Sequence, residues 1–294
     1  MASPAQWIAG ARPRTLPAAV APVLAGTAVA LWEDGAVWWK ALLALAVSLL
    51  LQVGVNYAND YSDGVRGTDS DRVGPMRLVG SGAASARSVK LAALGSLAGA
   101  ALVGLVLAAT TSWWLVAVGA LCILAAWYYT GGSRPYGYLG LGEVMVFVFF
   151  GLVAVVGTAY VQTRAFHLAA LWAGCGIGVL ACAILVANNL RDIPTDRVAG
   201  KRTLAVVLGE DRTRHLYGLL VDAAVVALVG IALTTTWWVL LALVAAPPAV
   251  RAVSRVLGER ATGSALIPVL QQTGQAELLY AAGILAGVVV GVLT

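Results

Sequence analysis

Long apolar runs limit what this chain can fold into more than any other feature of the sequence. A helix that crosses the hydrocarbon core of a membrane needs about 20 mostly apolar residues. Runs of that kind, separated by short polar breaks, cover 15–32, 40–60, 89–109, 113–130, 141–161, 168–189, 215–233, 236–256 and 276–293. Only 11% of the 294 residues are charged, against about 25% in soluble domains. The sequence predicts an all-α polytopic membrane protein with nine transmembrane helices and a single domain over residues 1–294.

The positions of the basic residues predict an orientation. Cytoplasmic loops of membrane proteins carry an excess of Lys and Arg. If the N-terminus is cytoplasmic, 17 of the 19 basic residues fall on the cytoplasmic side, and only Lys40 and Arg164 do not. We therefore predict a multi-pass protein of the bacterial cell (inner) membrane with a cytoplasmic N-terminus. The distribution of charge matters more here than the net charge of +5; the lipid bilayer is an expected partner, and no nucleic-acid partner is expected.

The start of the chain has a second interpretation. Ala28-Val29-Ala30 resembles a signal-peptide cleavage site. The preceding apolar run is long for a signal peptide and contains Pro17 and Pro22. We expect this run to be retained as the first helix.

Two acidic segments continue the second and sixth apolar runs. In the first, Asn56, Asp60 and Asp63 follow one another at i, i+4 and i+7. Side chains at these spacings lie on one face of a helix. The second segment repeats the pattern at i, i+4 and i+8, with Asn188, Asp192 and Asp196. Both segments are predicted at cytoplasmic helix ends, so the two faces can meet.

Carboxylates at the edge of a membrane are costly and tend to be functional. Four that converge repel one another unless a cation lies between them, and oxygen ligands with amide carbonyls suit Mg²⁺. Bridging Mg²⁺ would hold a diphosphate and stabilise it as a leaving group. Two alternatives remain at this point: each cluster is a solvated loop face, or the chain is a transporter, although transporter sites more often lie at the bilayer midplane.

Basic residues complete the pattern expected of a diphosphate site. Arg66 and Arg77 follow the first acidic segment, and Lys201 follows the second. Arg134 is the only basic residue between the fourth and fifth runs, where it is either a phosphate ligand or an ordinary cytoplasmic charge. The cytoplasmic side is thus where we expect the chemistry.

Both acidic segments resemble motifs of a known family. NDYSD at 59–63 and NNLRDIPTDRVAGKRTL at 188–204 resemble the two aspartate-rich motifs of UbiA-type intramembrane prenyltransferases. With two further stretches, ARPRTLPAAVAPVLAGTA at 11–28 and SRPYGYLGLGE at 133–143, the chain is most similar to the members that prenylate 1,4-dihydroxy-2-naphthoate. Many family members carry a third Asp in the first motif where this chain has Gly67, and here the acid appears at Asp69.

The resemblance implies a reaction and roles for individual residues. A polyprenyl chain would pass from its diphosphate to 1,4-dihydroxy-2-naphthoate with loss of carbon dioxide. The sister families imply other acceptors: 4-hydroxybenzoate, a porphyrin or a sugar donor. The implied Mg²⁺ ligands are the catalytic aspartates Asp60, Asp63, Asp192 and Asp196, assisted by Asn56 and Asn188. The implied diphosphate-binding residues are Tyr129, Arg134, Lys201 and Arg12, which join Arg66 and Arg77.

Overall fold

A computed structural model describes residues 2–67 and 76–294, and every regular element within those ranges is helical. Asp69 and Asp71, which belong to the first acidic segment, lie outside the described residues. The helices are α1 (Pro4–Gly10), α2 (Pro17–Trp32), α3 (Trp38–Arg66), α4 (Ala86–Thr110), α5 (Leu115–Tyr128), α6 (Gly142–Thr163), α7 (Leu168–Val198), α8 (Leu204–Leu208), α9 (Glu210–Thr234), α10 (Trp237–Gly258) and α11 (Gly263–Leu293).

Seven of the described helices are long and apolar enough to cross a membrane: α3, α4, α6, α7, α9, α10 and α11. An eighth candidate is the bent pair Pro4–Thr15 and Pro17–Trp32, whose halves meet at 49°. The apolar helix α5 has only 14 residues, fewer than a perpendicular crossing needs. The chain is therefore a multi-pass, all-helical membrane protein, and each predicted apolar run is helical.

Three helix boundaries differ from the apolar runs that predicted them. The helix α3 continues through the first acidic segment to Arg66. The helix α7 continues to Val198 although Pro194 lies within it, which removes one backbone hydrogen bond. The last helical segment begins at Gly263 rather than at 276, because the polar pair Gln271-Gln272 interrupts the apolar pattern without ending the helix.

Small residues allow close packing around α2. Ala21, Ala25 and Ala28 are fully buried there, in a cluster shared with α6, α7 and α11. A Cβ atom added to Gly26 would lie 2.5 Å from the carbonyl oxygen of Val155. Small side chains at helix crossings let backbones approach in membranes. The alanine-rich composition of the core follows from this approach.

The two basic residues predicted on the non-cytoplasmic side lie at one end of the bundle. The buried Lys40 ammonium donates hydrogen bonds to the carbonyl oxygens of Thr110 at 3.2 Å and Val161 at 2.8 Å. Arg164 donates to the same Thr110 oxygen at 2.8 Å. These contacts join the start of α3 to the ends of α4 and α6. Since α3 and α7 both begin at this end, their acidic segments lie together at the other.

Candidate functional site

A cavity of about 610 Å³ opens between the acidic ends of α3 and α7. Eight of the twelve predicted site residues line it: Arg12, Asp63, Arg77, Tyr129, Asn188, Asp192, Asp196 and Lys201. The fold therefore brings residues of both acidic segments to one space. The four others, Asn56, Asp60, Arg66 and Arg134, are not among the lining residues.

Asp63 contacts two basic side chains and a tyrosine hydroxyl at the cavity. Its Oδ2 atom lies 3.3 Å from Nη2 of Arg77, and its Oδ1 atom lies 3.7 Å from Nζ of Lys201. The Tyr138 hydroxyl also donates a hydrogen bond to Oδ1. Burial, and next the negative charge of Asp63, raise the pKa of Tyr138. The phenol therefore stays a protonated donor at neutral pH, and Asp63 is held by two cations and a hydroxyl.

Lys201 connects the two acidic segments. Besides Asp63, its ammonium lies 3.9 Å from Oδ1 of Asp196 and 4.7 Å from the centre of the Tyr138 ring. The local chain direction explains this position. Gly200 has a positive φ of 70° just after α7, a conformation that favours glycine and ends helices. The Lys201 amide then donates back to the Asp196 carbonyl oxygen at 2.9 Å, which returns the chain toward the cavity.

Asp192 forms a two-pronged ion pair with its neighbour Arg191. The Nε and Nη2 atoms of Arg191 each lie 2.7 Å from an Asp192 oxygen, and Nη2 also donates to Oδ1 of Asn188 at 2.9 Å. Paired N–H donors of this kind match a carboxylate and fix its plane. Arg191 is not among the residues predicted from the sequence to form the site. The available signal was an arginine three residues after Asn188 at the end of an apolar helix.

Two further asparagines line the cavity, Asn59 on α3 and Asn189 on α7. The Asn59 Oδ1 atom accepts a hydrogen bond from the Thr130 hydroxyl at 2.7 Å. The Asn189 amide nitrogen donates to Oε1 of Glu143 at 3.0 Å. Neither asparagine was a predicted ligand, although each stands four residues or fewer before a predicted aspartate.

Asn56 and Asp60 hold neighbouring chain segments. The Asn56 amide nitrogen donates to the carbonyl oxygen of Ala11 at 2.9 Å and to the Thr15 hydroxyl at 3.0 Å. The Asp60 carboxylate, 1% exposed, accepts the backbone N–H groups of Leu78 at 2.7 Å and Val79 at 3.0 Å. These contacts fix the segments on which Arg12 and Arg77 stand.

The two other predicted arginines belong to, or contact, the loop that follows α5. Arg66 donates to the carbonyl oxygens of Thr130 and Gly132, so it fastens the loop that follows α5. Arg134 is exposed in that same loop. The loop itself carries Tyr129 and Tyr138 to the cavity.

The opposite end of the cavity is apolar. It is lined by Val146 and Phe150 of α6, Ile184 and Leu185 of α7, and Leu270 of α11. Phe150 lies in a π-helical stretch, Phe147–Val153; such stretches often occur at functional sites. The cavity therefore joins a charged end to an apolar end.

The donor chemistry of the charged end fits Mg²⁺. Carboxylates of Asp63, Asp192 and Asp196 and the amide of Asn188 line one space, and Mg²⁺ binds oxygen ligands of this kind together with phosphate oxygens. Within 2–67 and 76–294, no three His, Cys, Asp or Glu side chains are gathered closely enough to hold a metal by themselves. Asp63 and Asp192 instead contact basic side chains, as described above.

Comparisons with known proteins give the family of this chain. The model of the UbiA prenyltransferase family matches residues 19–267. The chain is 58% identical to a 1,4-dihydroxy-2-naphthoate octaprenyltransferase of Mycobacterium tuberculosis, over 100% of both chains. It is 39% identical to the protein of that description in Escherichia coli, over 93% of this chain and 91% of that one.

Solved structures share the fold at low sequence identity. A UbiA homologue from Archaeoglobus fulgidus bound to DMAPP and Mg²⁺ superposes with a TM-score of 0.64, at 18% identity over 97% of this chain and 99% of that one. The apo structure of a UbiA homologue from Aeropyrum pernix K1 gives 0.72, at 16% identity over 95% and 98%. The resemblance inferred from the two acidic segments is confirmed: the chain belongs to the UbiA prenyltransferase family.

Proposed function

We propose that this protein transfers a polyprenyl chain from its diphosphate to 1,4-dihydroxy-2-naphthoate, releasing carbon dioxide and diphosphate and forming demethylmenaquinol. The observation that carries the proposal is the single cavity with a charged end and an apolar end. A prenyl diphosphate has the same two-ended chemistry. The acceptor is supported by relatives named for it, at up to 58% identity among those compared.

The charged end suits the diphosphate. Arg12, Arg77 and Lys201 supply positive charge there, and Tyr129 adds a hydroxyl. Asp63, Asp192, Asp196 and Asn188 would hold Mg²⁺, which when bound offsets the negative charge that builds on a departing diphosphate. Lys201 is placed to contact both acidic segments and a diphosphate oxygen, so it would act at the centre of the charged end.

Four of the predicted site residues do not line the cavity and would support the residues that do: Asn56, Asp60, Arg66 and Arg134. Asp60 holds Leu78 and Val79, beside Arg77. Arg66 holds the loop that carries Tyr129. The Mg²⁺ role predicted for Asn56 and Asp60, and the diphosphate role predicted for Arg66 and Arg134, stay predictions.

The apolar end suits the prenyl chain and the acceptor ring. Its walls exclude water from the bond that breaks, and a carbocation formed from an allylic diphosphate must be kept from water until the ring attacks. The naphthoate ring is electron-rich because of its two hydroxyl groups. Its attack at the carbon that bears the carboxylate permits loss of carbon dioxide and restores the aromatic ring.

The proposal also includes nine membrane crossings, a single domain and a cytoplasmic N-terminus. The seven long helices, the bent pair and the short α5 would give nine crossings if α5 spans a locally thin or tilted region. The charged end of the cavity then faces the cytoplasm of a bacterium, where the excess of basic residues is predicted.

The proposal is tested with membranes that contain the chain, Mg²⁺, a polyprenyl diphosphate and 1,4-dihydroxy-2-naphthoate. Prenylated product and released carbon dioxide are expected, and EDTA should abolish both. Prenylation of 4-hydroxybenzoate in place of the naphthoate would overturn the acceptor and keep the chemistry. If no acceptor consumes the diphosphate, the enzyme proposal fails, and the transporter hypothesis becomes the one to test.

A further inference from the structure

The cavity face of α7 changes character along its length. Ile184 and Leu185 are apolar, Asn188 and Asn189 carry amides, and Asp192 carries a carboxylate; all five line the cavity. At a rise of 1.5 Å per residue, Asn189 lies about 6 Å along the axis from Leu185 and about 4.5 Å from Asp192. Asn189 therefore stands at the boundary between the apolar end and the charged end.

Glu143 fixes the orientation of the Asn189 amide. The Asn189 amide nitrogen donates to Glu143, with 3.0 Å between Nδ2 and Oε1, and an amide NH₂ group can only donate hydrogen bonds. The carbonyl oxygen Oδ1 is then turned away from Glu143. Within the described part of the chain, Oδ1 accepts no hydrogen bond. A fixed acceptor without a donor is thus present on a residue that lines the cavity.

Glu143 itself is buried in the protein behind the cavity lining. It is 8% exposed, and its second oxygen, Oε2, is buried without a hydrogen-bond partner in the described ranges. Its neighbour Gly142 packs against the cavity lining, where an added Cβ would lie 3.3 Å from Leu185 and 3.7 Å from the Tyr129 hydroxyl. An unpartnered carboxyl oxygen and an amide carbonyl oxygen are both acceptors, so together they disfavour anions and favour a hydrogen-bond donor.

We infer that Asn189 binds a phenolic hydroxyl of the aromatic acceptor through its Oδ1 atom, and that Glu143 is the positioning residue that fixes this amide. The donor must be a hydroxyl because the other polar groups of the two substrates, a carboxylate and a diphosphate, are anions. A hydroxyl held here places the ring at the boundary between the two ends, beside the allylic carbon that joins the prenyl chain to the diphosphate. This inference rests on the proposed function, which supplies the hydroxylated acceptor.

The test measures binding rather than turnover. The detergent-purified protein contains ten tryptophans, whose fluorescence reports the Kd of three non-reacting ligands: 1-hydroxy-2-naphthoate, 4-hydroxy-2-naphthoate and 2-naphthoate. In the wild type, the better of the two hydroxylated ligands should bind about tenfold more tightly than 2-naphthoate, because the latter covers the Asn189 acceptor without offering it a donor. In Asn189→Ala and Glu143→Gln this ratio should fall below about threefold, and Glu143→Asp should restore it in part.

The matched control is Asn59→Ala, which removes a cavity asparagine of α3. Its Oδ1 atom already accepts from Thr130, so the ratio of Kd values should stay as in the wild type. The Kd of a prenyl diphosphate, measured on all variants, should change less than about threefold in Asn189→Ala and Glu143→Gln, which shows that they fold.

The outcomes separate the two proposals. If the wild type shows the ratio and the variants at Asn189 and Glu143 keep it, the inference fails while the proposed function stands. If the wild type binds no naphthoate yet binds the prenyl diphosphate, the proposed acceptor fails. Equal loss of the ratio in Asn59→Ala would assign it to general damage of the cavity and overturn the specific role of Asn189.

Discussion

The acidic segments of α3 and α7 have similar sequences, but they contribute different residues to the cavity lining. In α7, Asn188, Asp192 and Asp196 all line the cavity. In α3, of the three residues with the corresponding spacing, only Asp63 lines it. Asn56 and Asp60 are bonded instead to Ala11, Thr15, Leu78 and Val79. A repeated motif therefore does not imply a repeated contribution to the site.

Helix geometry explains why Asp60 does not line the cavity. The α3 residues that line the cavity are Gln52, Asn59 and Asp63, spaced seven and four residues apart. At 3.6 residues per turn these three form one narrow stripe. Asp60 is rotated away from the centre of that stripe, toward the segment that begins with Met76. The Asn-x-x-x-Asp pair that faces the cavity from α3 is thus Asn59 with Asp63, three residues beyond the pair Asn56 with Asp60.

The largest loss of prenyl transfer is expected for Asp192→Asn and for Asp63→Asn. The control is a change at Asp222, an exposed residue of α9. Loss of a carboxylate from the charged end should lower prenyl transfer by on the order of 10³-fold, because charge at the diphosphate is then uncompensated. Turnover by membranes with matched protein content measures this. Asp222→Asn should change it by less than about twofold, and equal losses in both would contradict the assigned site.

Lys201→Met should have the next largest effect. Its ammonium lies between Asp63 and Asp196, so the variant loses the cation that links both segments. The kcat/KM for the prenyl diphosphate should fall by on the order of 10²-fold. The neighbouring Arg202 has an exposed side chain, and Arg202→Met is the matched control. Similar kcat/KM values for the two variants would remove Lys201 from the diphosphate site.

Asp60→Asn distinguishes an anchoring carboxylate from a metal ligand. Its two backbone hydrogen bonds predict a loss of about 2 kcal/mol in the free energy of unfolding, visible as a lower melting temperature in detergent. The Mg²⁺ concentration for half-maximal turnover should stay within about twofold of the wild type. In Asp192→Asn it should rise. A comparable rise in Asp60→Asn would instead support the predicted Mg²⁺ role of Asp60.

The smallest effect is expected for Asn56→Ala. The variant loses two hydrogen bonds to the chain between α1 and α2, which predicts about 1–2 kcal/mol of destabilisation and turnover within about threefold of the wild type. Asn188→Ala, the corresponding change in α7, should reduce turnover by about tenfold with a smaller change in melting temperature. Equal losses of turnover in the two variants would show that the two segments act alike.

Much of the fold follows from the sequence alone. Each apolar run became a helix because about 20 apolar residues in lipid leave little choice of structure. The sequence also predicts that the acidic ends of α3 and α7 lie on the same side of the membrane, because charged residues are excluded from its hydrocarbon core. The motifs carried by 59–63 and 188–204 also identified the family, and that identification is confirmed.

Tertiary structure decided which members of each motif meet. Periodicity places Asp60 and Asp63 near one helix face, but only the neighbouring helices determine which part of that face borders a cavity. The partners Arg191 with Asp192, Tyr138 with Asp63, and Glu143 with Asn189 show no common spacing. The last two join residues 75 and 46 positions apart. Contacts at such separations depend on how the helices pack, which local sequence pattern does not encode.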